Sequence, residues 1–194
     1  MAKKKNCGII INTINTSGTF SRMIEKEEYF IFNSKREGEF KKYNKFGQLM
    51  KIYNYKNDNT EGEYKSYCVN RYIIKIVCNY KNHKREGEYK KYYYNGKLSL
   101  ICNYKNDEKM GEYKSYYSNG QLLQICNYKN NKNEGEYKEY FNNGQLYIIC
   151  NYNNGKMEGE YKQYHKNGQL KTICNYKDDK KEGKYKEYFD NNKK

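Results

Sequence analysis

The sequence contains no proline, no tryptophan and a single alanine, Ala2. Histidine is almost as scarce, with only His83 and His165. Long apolar runs are missing too. The most hydrophobic stretch near the start, CGIIINTI from Cys7, is too short and too interrupted by polar residues for a signal peptide or a membrane span. Two histidines leave little from which to assemble a zinc site, which needs clustered nitrogen and sulfur ligands. There is no phosphate-binding glycine loop, no Cys-x-x-Cys, no His-Glu-x-x-His and no nucleophile elbow. The aspartates near 58, 107 and 178–179 lack calcium-loop spacing. These absences argue against an enzyme and lead us to expect no cofactor, no metal and no small-molecule substrate. His83 and His165 read as solvated or packing residues rather than as bases.

Missing alanine, proline and tryptophan beside abundant Lys, Asn, Tyr and Ile form the pattern of AT-rich coding. That bias bears on the charge. A net charge of +15 and a pI near 9.3 would ordinarily point to nucleic acid or an anionic surface, but codon preference for lysine supplies part of it. The apolar fraction is 36%, yet 26 of those residues are tyrosine and the mean hydropathy is −1.31. A conventional core is hard to build from this. An array of repeats avoids the difficulty, because each unit buries its side chains on its neighbours.

The repeat is present. Glycine recurs at Gly38, Gly62, Gly87, Gly111, Gly135, Gly159 and Gly183, always in an EGEY-like context and always 24 or 25 residues apart. Cysteines follow the same period at Cys78, Cys102, Cys126, Cys150 and Cys174, and Asn-Gly pairs at Asn95-Gly96, Asn119-Gly120, Asn143-Gly144 and Asn167-Gly168. Asn-Gly between aromatic and β-branched runs signals a hairpin with a two-residue type I′ turn. Each unit therefore reads as strand (GEYKEYF), turn, strand (QLYIICNY) and a Lys/Asn-rich return loop.

That turn fixes a register. It places Phe141 opposite Leu146, Tyr137 opposite Cys150 and Gly135 opposite Tyr152 on one face. Tyr140 then faces Tyr147, Lys138 faces Ile149 and Glu136 faces Asn151 on the other. A tyrosine lying over each strand glycine would be aromatic rescue. Gly87, Gly111, Gly135 and Gly159 are thus structural, as are Cys102, Cys126, Cys150 and Cys174. Cysteines one repeat apart sit two strands apart, roughly 9–10 Å, too far for a disulfide. A reduced thiol ladder packed on tyrosine implies a reducing, cytoplasmic compartment.

The motif G-E-Y-K-x-Y, then N-G-Q-L, then a return to E-G-E-Y, resembles the variant MORN repeat, over about residues 35–192. Similar repeats occur in YwqK-type antitoxin proteins and in giant-virus proteins. The resemblance implies an all-β fold, an elongated, single-layer, twisted antiparallel meander of about seven stacked hairpins. For a viral protein the compartment would be the host cytoplasm. It also implies roles in scaffolding, membrane-associated assembly or toxin neutralisation. The cysteine column and the lack of tryptophan depart from the standard MORN pattern.

We divide the chain into an N-terminal basic segment with capping strands, residues 1–34, and the repeat array, residues 35–194. Ile9 to Ile11 reads as a capping strand, 15–21 as a loop, and Met23 to Glu28 as either a helical turn or a strand start. The first repeat carries Phe46-Gly47 at its turn and Tyr53 in the cysteine position. The second has Asn70-Arg71 at its turn, Cys68 on its first strand and one extra residue, which predicts a bulge or wider turn. The seventh ends in a lysine-rich stretch that would blunt an edge strand.

One face offers a candidate binding surface. Lys90, Tyr92, Lys114, Tyr116, Lys138, Tyr140, Lys162 and Tyr164 form Lys and Tyr columns of the kind that stack single-stranded nucleic acid. A Glu column interleaves with them, Glu88, Glu112, Glu136 and Glu160, and predicts ion pairs along and across strands. The leading expectation is a non-enzymatic scaffold whose partner is another protein. The alternatives are nucleic-acid or anionic-membrane binding through the Lys/Tyr face, and antitoxin-like neutralisation of a toxin.

Overall fold

The computed structural model describes residues 8–15, 24–68 and 73–189. Cys7, most of the loop expected over 15–21, the Asn70-Arg71 turn and the lysine-rich end all lie outside the described residues. The chain divides into two compact units, residues 1–96 and 97–194. Each is an antiparallel meander without a helix among its described residues.

The first unit contains β1 (Gly8–Asn15), β2 (Ile24–Phe32), β3 (Lys35–Tyr43), β4 (Leu49–Lys56), β5 (Asn59–Tyr67), β6 (Ile74–Lys81) and β7 (Lys84–Tyr92). Each pairs with the next. The expected capping strand is β1, and the stretch left open between helix and strand is the start of β2. The second unit contains β8 (Leu98–Lys105), β9 (Glu108–Tyr116), β10 (Leu122–Lys129), β11 (Lys132–Asn133), β12 (Gly135–Tyr140), β13 (Leu146–Asn153), β14 (Lys156–Met157), β15 (Gly159–Tyr164), β16 (Leu170–Lys177) and β17 (Lys180–Glu187). The short β11 and β14 are the first residues of strands that β12 and β15 continue, and they pair with β10 and β13 respectively.

The turns differ from the sequence reading in a way that leaves most of the register intact. At Asn-Gly the loop has three residues. Phe141 N–H donates to Gln145 C=O (2.8 Å) and Gly144 N–H to Phe141 C=O (2.9 Å). Only the glycine has positive φ, +86° at Gly144, so this is a type I turn with a glycine bulge rather than type I′. The asparagine locks it, with Asn143 Oδ1 accepting from Gln145 N–H at 3.1 Å. The extra loop residue shifts the pairing by one, so Tyr140 sits opposite Leu146. Tyr147 is then extruded as a bulge, and from Glu139–Ile148 onward the predicted partners hold: Lys138–Ile149, Tyr137–Cys150, Glu136–Asn151 and Gly135–Tyr152. The expected pairs Phe141–Leu146 and Tyr140–Tyr147 do not form. Tyr147 turns to the cysteine face instead, where it meets Phe141 (ring centroids 4.6 Å) and its hydroxyl accepts from Gln163 (2.9 Å).

The true two-residue turns are the return connections. Asn57-Asp58, Asn82-His83, Asn106-Asp107, Asn130-Asn131 and Asp178-Asp179 all have both residues at φ between 49° and 69°, which is type I′ geometry. Asparagine and aspartate tolerate this left-handed region better than other side chains.

The motif glycine also has a different reason from the one expected. A methyl group built on Gly135 would meet nothing within 4 Å, so Tyr152 does not cover it; its φ of +76° is what excludes a side chain. Tyr152 packs edge-on against Tyr137 at 5.7 Å. The core of the second unit is this cysteine face. Cys102, Cys126, Cys150 and Cys174 are buried, free thiols beneath the tyrosine pairs Tyr113–Tyr128, Tyr137–Tyr152 and Tyr161–Tyr176.

Candidate functional site

With the thiols and most rings on one face, the other face carries the columns singled out from the sequence. In the second unit one row crosses all the strands and alternates two residue types: Ile101, Lys114, Ile125, Lys138, Ile149, Lys162, Ile173 and Lys186, each paired with the next. The side chains of Lys114, Lys138 and Lys162 are only 30–32% exposed. Their aliphatic stems lie on the sheet between the isoleucines while the ammonium groups reach water.

Each ammonium group has a partner. Lys90, Lys114, Lys138 and Lys162 bond Glu88, Glu112, Glu136 and Glu160 at 2.5–2.6 Å. Lys65 does the same with Glu63. The pairing runs along one strand, two residues apart, rather than across neighbours. That hydrogen bond holds each of these lysines above the ordinary lysine range. The column turns over at β17. There the glutamate position holds Lys184, and neither Lys184 nor Lys186 has an ion-pair partner among the described residues.

Tyr92 in the first unit and Tyr116, Tyr140 and Tyr164 in the second are half-buried at the hairpin end of this face, with Leu122, Leu146 and Leu170 opposite the last three. At the other end stand exposed asparagines, Asn127, Asn151 and Asn175, opposite the glutamates. Their amides make no hydrogen bond among the described residues. In the first unit the same columns form a shallow recess of about 190 Å³ lined by Glu39, Ile52, Tyr53, Asn54, Glu63, Lys65 and Tyr67. Among the described residues no group of three or more His, Cys, Asp or Glu is arranged to hold a metal.

Sequence reasoning missed the clamps that join one repeat to the next. The second turn residue reaches back to the preceding return strand. Asp58 N–H donates to Arg36 C=O (3.0 Å) while Asp58 Oδ1 accepts from Arg36 N–H (2.9 Å). Asn131 repeats this with Lys109, and Asp179 with Met157. The glutamate before the motif glycine accepts from the first turn residue, as Glu37 does from Asn57 (2.8 Å) and Glu134 from Asn154 (2.8 Å). His83 belongs to this series and is not merely solvated, since its Nδ1 accepts from Thr60 N–H at 2.9 Å. His165 ties its turn to the next strand, with Nε2–H donating to Tyr188 C=O at 2.9 Å. The signal was legible in principle: an Asn or Asp stands 20 or 21 residues after Glu37, Glu61, Glu86, Glu134 and Glu158, and a further Asp follows it after Glu37, Glu86 and Glu158.

Structural duties thus fall on the cysteine face and on both edges. Among the described residues, the charged groups of the isoleucine–lysine face in the second unit form ion pairs within single strands. A family model described as MORN repeat variant matches residues 36–57, 85–106, 111–130, 133–154 and 157–178, more than half of the chain. No curated protein matches it.

Proposed function

We propose, for a chain that belongs to the MORN repeat variant family, a non-catalytic scaffold that binds another protein along the isoleucine–lysine face. MORN repeats are in general modules for protein or membrane interaction. The choice of a protein partner rests on one observation: the lysines of this face are already bonded to glutamates along the same strands. A polyanion gains affinity by releasing counterions to unpaired cations, and paired lysines offer little of that. What the face presents instead is half-buried Ile, Leu and Tyr edged by free amides. This mixed surface, with an apolar centre and a polar rim, is that of a protein interface. A toxin neutralised in the manner of an antitoxin is one such partner. The buried free thiols support a reducing compartment.

Crosslinked capture of the full chain from its native cell, followed by recovery of the crosslinked sites, tests this. Crosslinks to protein concentrated on Lys114, Lys138 and Lys162 are expected. Retention of nucleic acid, with affinity collapsing between about 50 and 200 mM salt, would overturn the reading in favour of phosphate contacts.

A further inference from the structure

The spacing and chemistry of the same face narrow the conformation of the protein partner proposed above, and the inference rests on that scaffold reading. We infer that the second unit is a track for a proline-rich segment in the polyproline II conformation, running across the strands, with acidic residues at its β17 end. Length selects this conformation first. Strands lie about 4.8 Å apart, so a two-strand repeat advances about 9.6 Å. A polyproline II helix advances about 9.3 Å per three-residue turn, whereas seven residues of an α-helix advance about 10.5 Å. Over the three steps from Ile101 to Ile173 the polyproline segment drifts from its sites by about 1 Å. A helix drifts by about 3 Å, most of the way to the next strand.

The chemistry of the row selects it independently. Ile125, Ile149 and Ile173 recur once per repeat and are walled by lysine stems. The counterpart of this row in the first unit is a small recess of mixed lining, where Ile52, Tyr53 and Tyr67 stand beside Glu39, Glu63 and Lys65, with a volume of about 190 Å³. That is below the roughly 300 Å³ at which drug-sized pockets begin, and it suits one ring at a time. A polyproline II backbone makes no hydrogen bonds of its own, so its carbonyls remain open to donors. The exposed, unengaged amides of Asn127, Asn151 and Asn175 stand in line to supply one donor per turn. Asparagine fills this position in every repeat that has the second strand, although no fold contact requires it, while the position after the motif lysine drifts through Lys, Ser, Glu and Gln. These 194 residues contain no proline, so none of them supplies the segment, and the partner protein of the scaffold reading does.

Charge sets the direction. Lys184 occupies the glutamate position, and Lys186 pairs with Ile173 across the last strand pairing. A segment following the isoleucines therefore meets two cations without partners among the described residues as it reaches β17, which complements Asp or Glu at that end.

Fluorescence anisotropy of labelled peptides with the full chain tests the inference. The probe is a polyproline peptide three turns long ending in aspartates. Its controls are the same peptide ending in lysines and an amphipathic heptad helix of equal length. Two variants should leave the fold intact. Replacing Asn127, Asn151 and Asn175 with Ala touches only exposed, unbonded side chains. Lys184→Glu restores the pattern of the other repeats. The aspartate-ended peptide is expected to bind, to weaken about tenfold or more in the asparagine variant, and to lose its advantage over the lysine-ended peptide in Lys184→Glu. Equal binding of the helix, indifference to both variants, or no binding of the polyproline peptide would overturn the inference. If crosslinked capture still retained a protein in that case, the scaffold reading would stand and only the conformation of its partner would fall.

Discussion

The two units fill the same column in different ways. In the first unit the column opens with Tyr53, and a run of rings stacks across four strands: Tyr29 on Phe40 (6.2 Å), Phe40 on Tyr53 (4.6 Å) and Tyr53 on Tyr64 (5.7 Å). Phe40, Tyr53 and Tyr55 form a buried cluster, closed on one side by the Arg36 guanidinium over Tyr55 (4.1 Å). In the second unit the column is cysteine throughout, as it is at Cys78 of the first, and the edge-on ring pairs that both units have lie above thiols with no stacked run beside them. A single-layer sheet has no second layer to bury its face. Rings must cover the column either by stacking along it or by folding over something small. The register is common to both, so the residue in the column decides which arrangement forms.

Alkaline pH should act on the ring layer common to both with the largest effect. Burial pushes Tyr128, Tyr152 and Tyr161 up to about 12, and Tyr53 higher still. A phenol raised above its ordinary value near 10 contributes stability that is complete below that value and lost as pH rises through the folded one. Strand signal is therefore expected to fall in both units as pH passes from 10 towards 12, since burial raises Tyr137 of the second unit beyond its neighbours just as it raises Tyr53 of the first. Phenolate absorbance followed beside circular dichroism checks this. One transition near 10 for all tyrosines would mean that the rings are not buried in either unit.

Phe40→Ala removes the centre of the stacked run and should cost about 3–5 kcal/mol, read from denaturant midpoints. The reciprocal test is Cys150→Tyr, which asks the second unit to adopt the first unit's solution. Cys150 is 3% exposed, and its neighbours are arranged for a thiol, so overpacking of about 1–3 kcal/mol is expected. A neutral result would mean that either filling suits either site. Burial also raises the Cys150 thiol to about 11, so Cys150 should resist thiol reagents at neutral pH in the folded protein and react fully once it unfolds.

Most of this contrast between the units is legible in the residues alone. The period of 24 gives the hairpins, and Tyr53 in place of cysteine marks the odd unit. The register from Gly135 to Glu139 was legible because two local deviations cancel. The third loop residue shifts the pairing by one, and the bulge at Tyr147 shifts it back. Neither could be read directly, since Asn-Gly suits a type I′ turn and a type I turn with a glycine bulge equally well. The cost fell on residues between the two deviations, so Tyr147 was placed on the wrong face. The lysine–glutamate columns were read correctly as columns. Lys184 in a glutamate position was visible in the sequence but carries meaning only once its neighbours' ion pairs are known. The repeat-to-repeat clamps are hard to read because the recurring Asn and Asp that make them, about 22 residues from their partners, are also ordinary type I′ turn residues.

Those clamps give the smallest of the expected effects and the sharpest local one. Asn131 accepts from Lys109 N–H at 2.8 Å and sits at φ 65°. Alanine there removes an acceptor from a backbone donor and strains a left-handed position, for a loss of about 1–2 kcal/mol. Glycine removes the same acceptor without the strain and should lose less. Indeed Gly155 already holds this position one repeat later, and its N–H still donates to Asn133 C=O at 2.9 Å. The difference between Asn131→Ala and Asn131→Gly thus separates backbone conformation from the side-chain clamp. If the two variants lost the same amount, the clamp alone would be carrying the seam. If only alanine destabilised the protein, the turn's conformation would be what the asparagine is there to satisfy.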